Sequence, residues 1–108
     1  MIFVETPAFS RWRDENLDDE EFRALQNVLI AGPRAGDVIR GARGLRKLRL
    51  SVRGRGKRGG ARVIYFWWAS EEQVYLLSAF AKNVCEGLTP RQLARLAEVM
   101  RQEVDHNG

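Results

Sequence analysis

From Lys47 to Arg53 the chain alternates with a period of two, the pattern of a half-buried β-strand. Successive strand residues point to opposite faces, so Leu48, Leu50 and Val52 share one side while Lys47, Arg49, Ser51 and Arg53 share the other. One face is apolar and the other cationic. The surroundings reinforce the asymmetry: no acidic residue stands between Asp37 and Glu71, yet Arg40, Arg43, Arg46, Lys47, Arg49, Arg53, Arg55, Lys57, Arg58 and Arg62 all do. A run of like charge in a tail would extend and repel itself; interleaved with Leu45, Leu48, Leu50, Val52, Val63 and Ile64, it sits on folded structure. Such a field attracts a polyanion, and phosphate backbones are the most abundant class of polyanion in a cell.

At 108 residues and 44% hydrophobic content, the chain suffices for one domain, 1–108, that buries a core without staples. The formal net charge of +4 conceals a polar distribution, because Asp14, Glu15, Asp18, Asp19, Glu20 and Glu21 cluster before the basic middle. A single cysteine, Cys85, excludes an intrachain disulfide and a cysteine-based metal site. No metal or other cofactor is expected. The longest apolar run, Val63 to Ala69, is too short for a bilayer, and the acidic, proline-containing start does not resemble a signal peptide. These features fit a reducing, cytoplasmic setting.

Helix signals flank the basic middle. Thr6 before Pro7 opens a short helix carrying Phe9 and Trp12 and ending near Asn16. Asp18 with Glu21 forms a capping box, Leu17 and Phe22 a hydrophobic staple, and Gly32-Pro33 a stop. Phe22, Leu25, Val28 and Leu29 are the expected buried stripe of this second helix. Thr89, Pro90 and Gln92 start a terminal helix with Leu93, Leu96, Met100 and Val104 on one side. Between the helices lie strand-like segments at Asp37–Arg40, Leu45–Val52, Arg62–Ala69 and Gln73–Ala81, after a first short strand at Ile2–Val4. The expected class is α+β: an antiparallel sheet with two N-terminal helices and a C-terminal helix packed on it.

A hairpin returning from Arg53 to Arg62 brings Arg62 beside Arg49 or Lys47. Its connection holds Gly54, Gly56, Gly59 and Gly60, which let backbone approach a ligand, with Arg55, Lys57 and Arg58 as phosphate anchors. Gly56-Lys57 is not a P-loop, since Arg58 replaces the required Ser or Thr. The only histidine, His106, lies close to the C-terminus, so imidazole acid–base chemistry is not available in the basic region. The acids at Asp18–Glu21 suit a helix N-terminus rather than a metal. Trp67 and Trp68 point to opposite faces if they lie in a strand, which makes at least one a core residue. Tyr65 and Tyr75 read as sheet packing residues. On these residues alone, the cationic strand face is as well explained by a solvated edge as by a binding site.

The segments Gly44-Leu45-Arg46-Lys47-Leu48-Arg49, Gly54-Arg55-Gly56-Lys57-Arg58-Gly59-Gly60-Ala61-Arg62-Val63-Ile64-Tyr65-Phe66, Tyr75-Leu76-Leu77 and Ala81-Lys82-Asn83 resemble the RelE/HigB toxins of bacterial type II toxin–antitoxin systems, within them the HigB-like branch. The resemblance implies a microbial ribonuclease-like fold and cleavage of messenger RNA in the ribosomal A site. It assigns catalytic positions to Lys47, Arg49, Arg62 and Lys82, and RNA or ribosome contacts to Arg46, Arg53, Arg55, Lys57 and Arg58. Asn83 and the Leu88-Thr89 region depart from the family pattern of a following arginine and a later tyrosine, so no tyrosine acid–base role carries over. The implied partners are the mRNA on the ribosome, rRNA, and a helix-turn-helix antitoxin that contacts operator DNA on the toxin's behalf. A non-catalytic RNA- or ribosome-binding module using the same basic face is the competing expectation.

Overall fold

The computed structural model describes residues 1–52, 60–81 and 88–107. In chain order these form β1 (Ile2–Glu5), α1 (Pro7–Asn16), α2 (Asp19–Ala31), β2 (Asp37–Val38), β3 (Leu45–Leu50), β4 (Ala61–Trp68), a 3-10 turn at Ala69–Glu71, β5 (Gln73–Ala81) and α3 (Pro90–Asn107). Among the described residues no helix is long and apolar enough to cross a membrane.

The helix ends follow from local chemistry. The Asp18 carboxylate accepts from the Glu21 amide at 2.7 Å, and the Glu21 carboxylate accepts from the Asp18 amide at 3.0 Å, which satisfies two otherwise orphaned donors. Asp19, Glu20 and Glu21 then place negative charge against the positive end of the α2 dipole. α3 opens on the same device: the Thr89 hydroxyl accepts from the Gln92 amide and the Gln92 side chain accepts from the Thr89 amide.

The strands make one five-stranded sheet in the order β1-β5-β4-β3-β2. Every neighbouring pair is antiparallel except β1 with β5, which is parallel, so the sheet is mixed rather than purely antiparallel. The reason is topological: three successive antiparallel pairings set β5 opposite to β2, and the two-helix crossing brings the chain into β2 opposite to β1, so β1 and β5 run the same way. β2 is shorter than the expected Asp37–Arg40 and holds only two residues, paired as Asp37 with Lys47 and Val38 with Arg46.

A bulge interrupts β4–β5 pairing. Ile64 pairs with Ser78 and Tyr65 with Leu76, so Leu77 is the extra residue. Its carbonyl accepts from the Thr6 hydroxyl at 2.7 Å, and the same oxygen of Thr6 caps α1 by accepting from the Phe9 amide at 3.1 Å. One side chain therefore starts a helix and satisfies the bulge beneath it.

The two sheet faces carry separate cores. Phe9, Leu25 and Leu29 from α1 and α2 pack on Leu48, Leu50, Val63, Tyr65, Val74 and Leu76. On the reverse face Ala97 and Met100 of α3 pack on Ala42, Leu45, Ile64 and Leu77. The Leu17–Phe22 staple and Val52 lie against the first core, and Leu93 and Leu96 against the second. Val28 departs from the expected stripe: it is 43% exposed, because Leu25 and Leu29 face the sheet and Val28 falls on the flank of the helix. Trp67 packs against the first core, while Trp68 is itself buried.

Candidate functional site

The β3–β4 hairpin places Arg49 directly opposite Arg62 and Lys47 directly opposite Ile64. Opposed residues of an antiparallel pair lie on one face, with Cβ atoms about 4.5–5.5 Å apart, and diagonal neighbours are still within reach of long side chains. Lys47, Arg49 and Arg62 therefore share a face and a neighbourhood. It is the α3 face: along β3 the side chains run from Leu45, buried under α3, to Lys47 and Arg49, both exposed. The cations begin where the helix cover ends.

Arg62 differs in environment from its neighbours. It is 8% exposed, flanked across β4–β5 by Phe80, and its Nη1 donates to the Ala61 carbonyl at 3.2 Å. Two guanidinium-bearing residues set directly opposite one another repel. An anion placed between them reverses the sign of that interaction. The geometry suits a phosphate, which a guanidinium grips through two parallel N–H donors.

On the outer side of β3, Asp37 of β2 stands directly opposite Lys47, which brings a carboxylate onto the same face. Its mount is built by side-chain bonds to the preceding segment. The Tyr65 hydroxyl, fully buried, donates to the Pro33 carbonyl at 2.7 Å and accepts from the Gly36 amide at 2.9 Å. Arg46 donates from Nη1 to the Gly36 carbonyl at 2.8 Å. Gly36 is required there, since a Cβ would come within 2.8 Å of the Tyr65 ring and 3.0 Å of the Lys47 carbonyl. Burial pushes the Tyr65 phenol up from its ordinary pKa, against the opposing effects of the Gly36 bond and the Arg46 charge.

Of the residues expected at the site, Lys47, Arg49 and Arg62 come together. Arg46 does not. It pairs with Tyr65 on the α1–α2 face, where strand alternation puts it, and its guanidinium is held by the Gly36 carbonyl rather than facing the cationic surface. Lys82, Arg53, Arg55, Lys57 and Arg58 lie outside the described residues. Asp37 had no periodic signal to mark it, because a strand of two residues has no pattern. The only hint in the sequence is its position as the last acid before the basic stretch. Among the described residues no group of three or more His, Cys, Asp or Glu is arranged to hold a metal ion.

No protein-family model matches the chain. Solved structures do. The chain aligns with one from the intact Escherichia coli RelBE toxin–antitoxin complex at a TM-score of 0.52 and 19% identity, covering 72% of this chain and 92% of that one. It aligns equally with a free-state E. coli toxin RelE in which two arginines are replaced by alanine, at a TM-score of 0.52 and 21% identity, covering 79% and 86%. The fold is that of RelE. At this identity the likeness speaks for the α+β architecture, and the site must be argued from its own residues. In that RelE-like frame the cationic face is the exposed remainder of the sheet surface that α3 partly covers.

Proposed function

We propose that this protein is the toxin of a toxin–antitoxin pair, of the HigB-like branch, and acts as a ribosome-dependent endoribonuclease that cuts messenger RNA in the A site. The observation that carries the reading is the direct opposition of Arg49 and Arg62, with Lys47 diagonal to Arg62, on an exposed sheet face. The RelE-like fold supports it. The RNA 2′-hydroxyl attacks the adjacent phosphate, and the pentacoordinate state carries more negative charge than the ground state. Arg49 and Arg62 stabilise that added charge, with Lys47 beside them, and Lys82 contributes a further cation in this reading. Arg53, Arg55, Lys57 and Arg58 hold flanking backbone or rRNA phosphates.

The ribosome supplies what the site lacks. It bends the messenger into an attack geometry that free RNA rarely visits, so naked transcripts are poor substrates. A cognate antitoxin, in this reading a helix-turn-helix protein bound to operator DNA, covers the cationic face in the cytoplasm of growing cells. The E. coli RelBE structure holds a toxin together with an antitoxin, which supports a partner of that kind.

Induction in growing cells with mapping of messenger ends tests the proposal. Wild-type protein should produce cut ends within codons and arrest growth, while Arg62→Ala should lose about 10²-fold or more in cleavage rate. Ribosome association without new messenger ends would replace the nuclease by a non-catalytic binding module. Rapid cutting of ribosome-free RNA would overturn ribosome dependence.

A further inference from the structure

The cations at this site stabilise charge, but arginine holds its proton too tightly to act as a base. The structure offers a group of the opposite kind in the right place. Asp37 stands directly opposite Lys47 on the face shared with Arg49 and Arg62, and diagonal to Arg49 through the β2–β3 register. A carboxylate is an acceptor with no proton of its own when ionised.

The mounting of Asp37 is out of proportion to its strand. β2 is a two-residue edge strand, and short edges normally fray or serve only to blunt a sheet. Here the residue before Asp37 is fixed at both its polar backbone groups: the Gly36 amide by the buried Tyr65 hydroxyl, the Gly36 carbonyl by Arg46. The Tyr65 hydroxyl also donates to the Pro33 carbonyl, so one phenol from the centre of the sheet, together with Arg46, holds the entry to β2. Positioned catalytic groups need this kind of support from their neighbours.

We infer that Asp37 is a catalytic residue of this site, the acceptor of the proton from the attacking RNA 2′-hydroxyl; the inference rests on the nuclease reading above. As the 2′-oxygen forms its bond to phosphorus, its proton passes to an Asp37 carboxylate oxygen. The bond from phosphorus to the 5′-oxygen breaks, and that oxygen takes a proton from solvent. The products are a 2′,3′-cyclic phosphate and a free 5′-hydroxyl, and Asp37 then returns its proton to solvent. Lys47, opposite Asp37 in the register, adds positive charge to the same face. Arg46 and Tyr65 are positioning residues that act through Gly36.

The test is single-turnover cleavage on messenger-programmed ribosomes, with ribosome binding and thermal unfolding measured on the same proteins. Asp37→Asn keeps shape and removes proton uptake; it should lower the cleavage rate by about 10²-fold or more, with ribosome affinity unchanged. Asp37→Glu, which restores a carboxylate, should recover part of the rate. Asp37→Asn cleaving at the wild-type rate would overturn the assignment. So would a loss explained wholly by weaker ribosome binding or by a lower unfolding midpoint. A wild-type protein that cuts no messenger would remove the nuclease reading and this one together, whereas a cutting wild type with an equally active Asp37→Asn would remove this one alone.

Discussion

Arg49 and Arg62 face each other across adjacent strands, two cations where the sheet would be steadier with one. Opposed like charges destabilise a strand pair by roughly 0.2–1 kcal/mol. An anion bound between them would turn the repulsion into attraction. Replacing the exposed member, Arg49→Gln, should therefore raise unfolding free energy in denaturant by about that amount while lowering messenger cleavage. A variant both less stable and fully active would contradict this account of the pair. Arg62→Gln is the poorer choice, since that residue is nearly buried and its removal also disturbs packing beside Phe80.

The same pair sets the salt dependence of RNA binding. Each phosphate neutralised on a single strand contributes a slope of about −0.7 in the logarithm of affinity against the logarithm of salt. Arg49→Gln should make the measured slope shallower by about one such increment, whereas Arg46→Gln should leave it unchanged because Arg46 is engaged by the Gly36 carbonyl on the opposite face. Binding of a fluorescent oligonucleotide over a salt series decides between them. Equal effects from both substitutions would show that face assignment does not govern RNA contact.

The contrast between Arg49 and Arg46 also shows how far the sequence could be read. Alternation from Lys47 onward correctly separates Lys47 and Arg49 from Leu48 and Leu50, and the capping residues Thr6, Asp18 and Thr89 mark the helices because their signals are local. Arg62 opposite Arg49 was legible as a choice between two registers, since hairpin length limits pairing. Asp37 beside Lys47 was not legible. It depends on the antiparallel approach of a two-residue strand, and nothing within the strand encodes that partner. The parallel pairing of β1 was hidden for a related reason, as it is decided by the path of α1 and α2 over the sheet. Val28 appeared to belong with Leu25 and Leu29 because a four-residue window does not resolve the edge of an apolar stripe.

Thr6 joins two unrelated requirements, and substitutions separate them. Thr6→Val keeps volume and removes both the cap on the Phe9 amide and the donor to the Leu77 carbonyl. Loss of a cap alone costs about 0.5–2 kcal/mol, and an unsatisfied carbonyl adds to it. Thr6→Ser retains the hydroxyl and should recover most of the loss. Urea unfolding of the two variants gives the comparison; equal destabilisation would mean that packing of the methyl group, not the hydroxyl, is what matters there.

Tyr65 gives the protein a characteristic response to alkali. Its pKa is raised in the folded state by burial, while the unfolded chain titrates near the ordinary value of ~10. The folded state therefore holds the phenol proton in a range where the unfolded state has lost it. The corresponding stability is fully present below the unfolded value and is lost as pH rises through the folded one. Ionising Tyr65 would also remove the proton donated to the Pro33 carbonyl and leave a buried anion facing that carbonyl. Tyr65→Phe removes that titration but orphans the Gly36 amide and the Pro33 carbonyl, at about 1–3 kcal/mol near neutrality. Unfolding free energy measured from neutral pH to above pH ~10 should fall more steeply for the wild type than for Tyr65→Phe, so that the two curves converge as the medium becomes alkaline. Parallel curves would show that Tyr65 does not carry the alkaline response. If messenger cleavage falls in Tyr65→Phe at neutral pH by more than its stability loss explains, the phenol's hold on Gly36 is felt at Asp37, two strands away across the sheet.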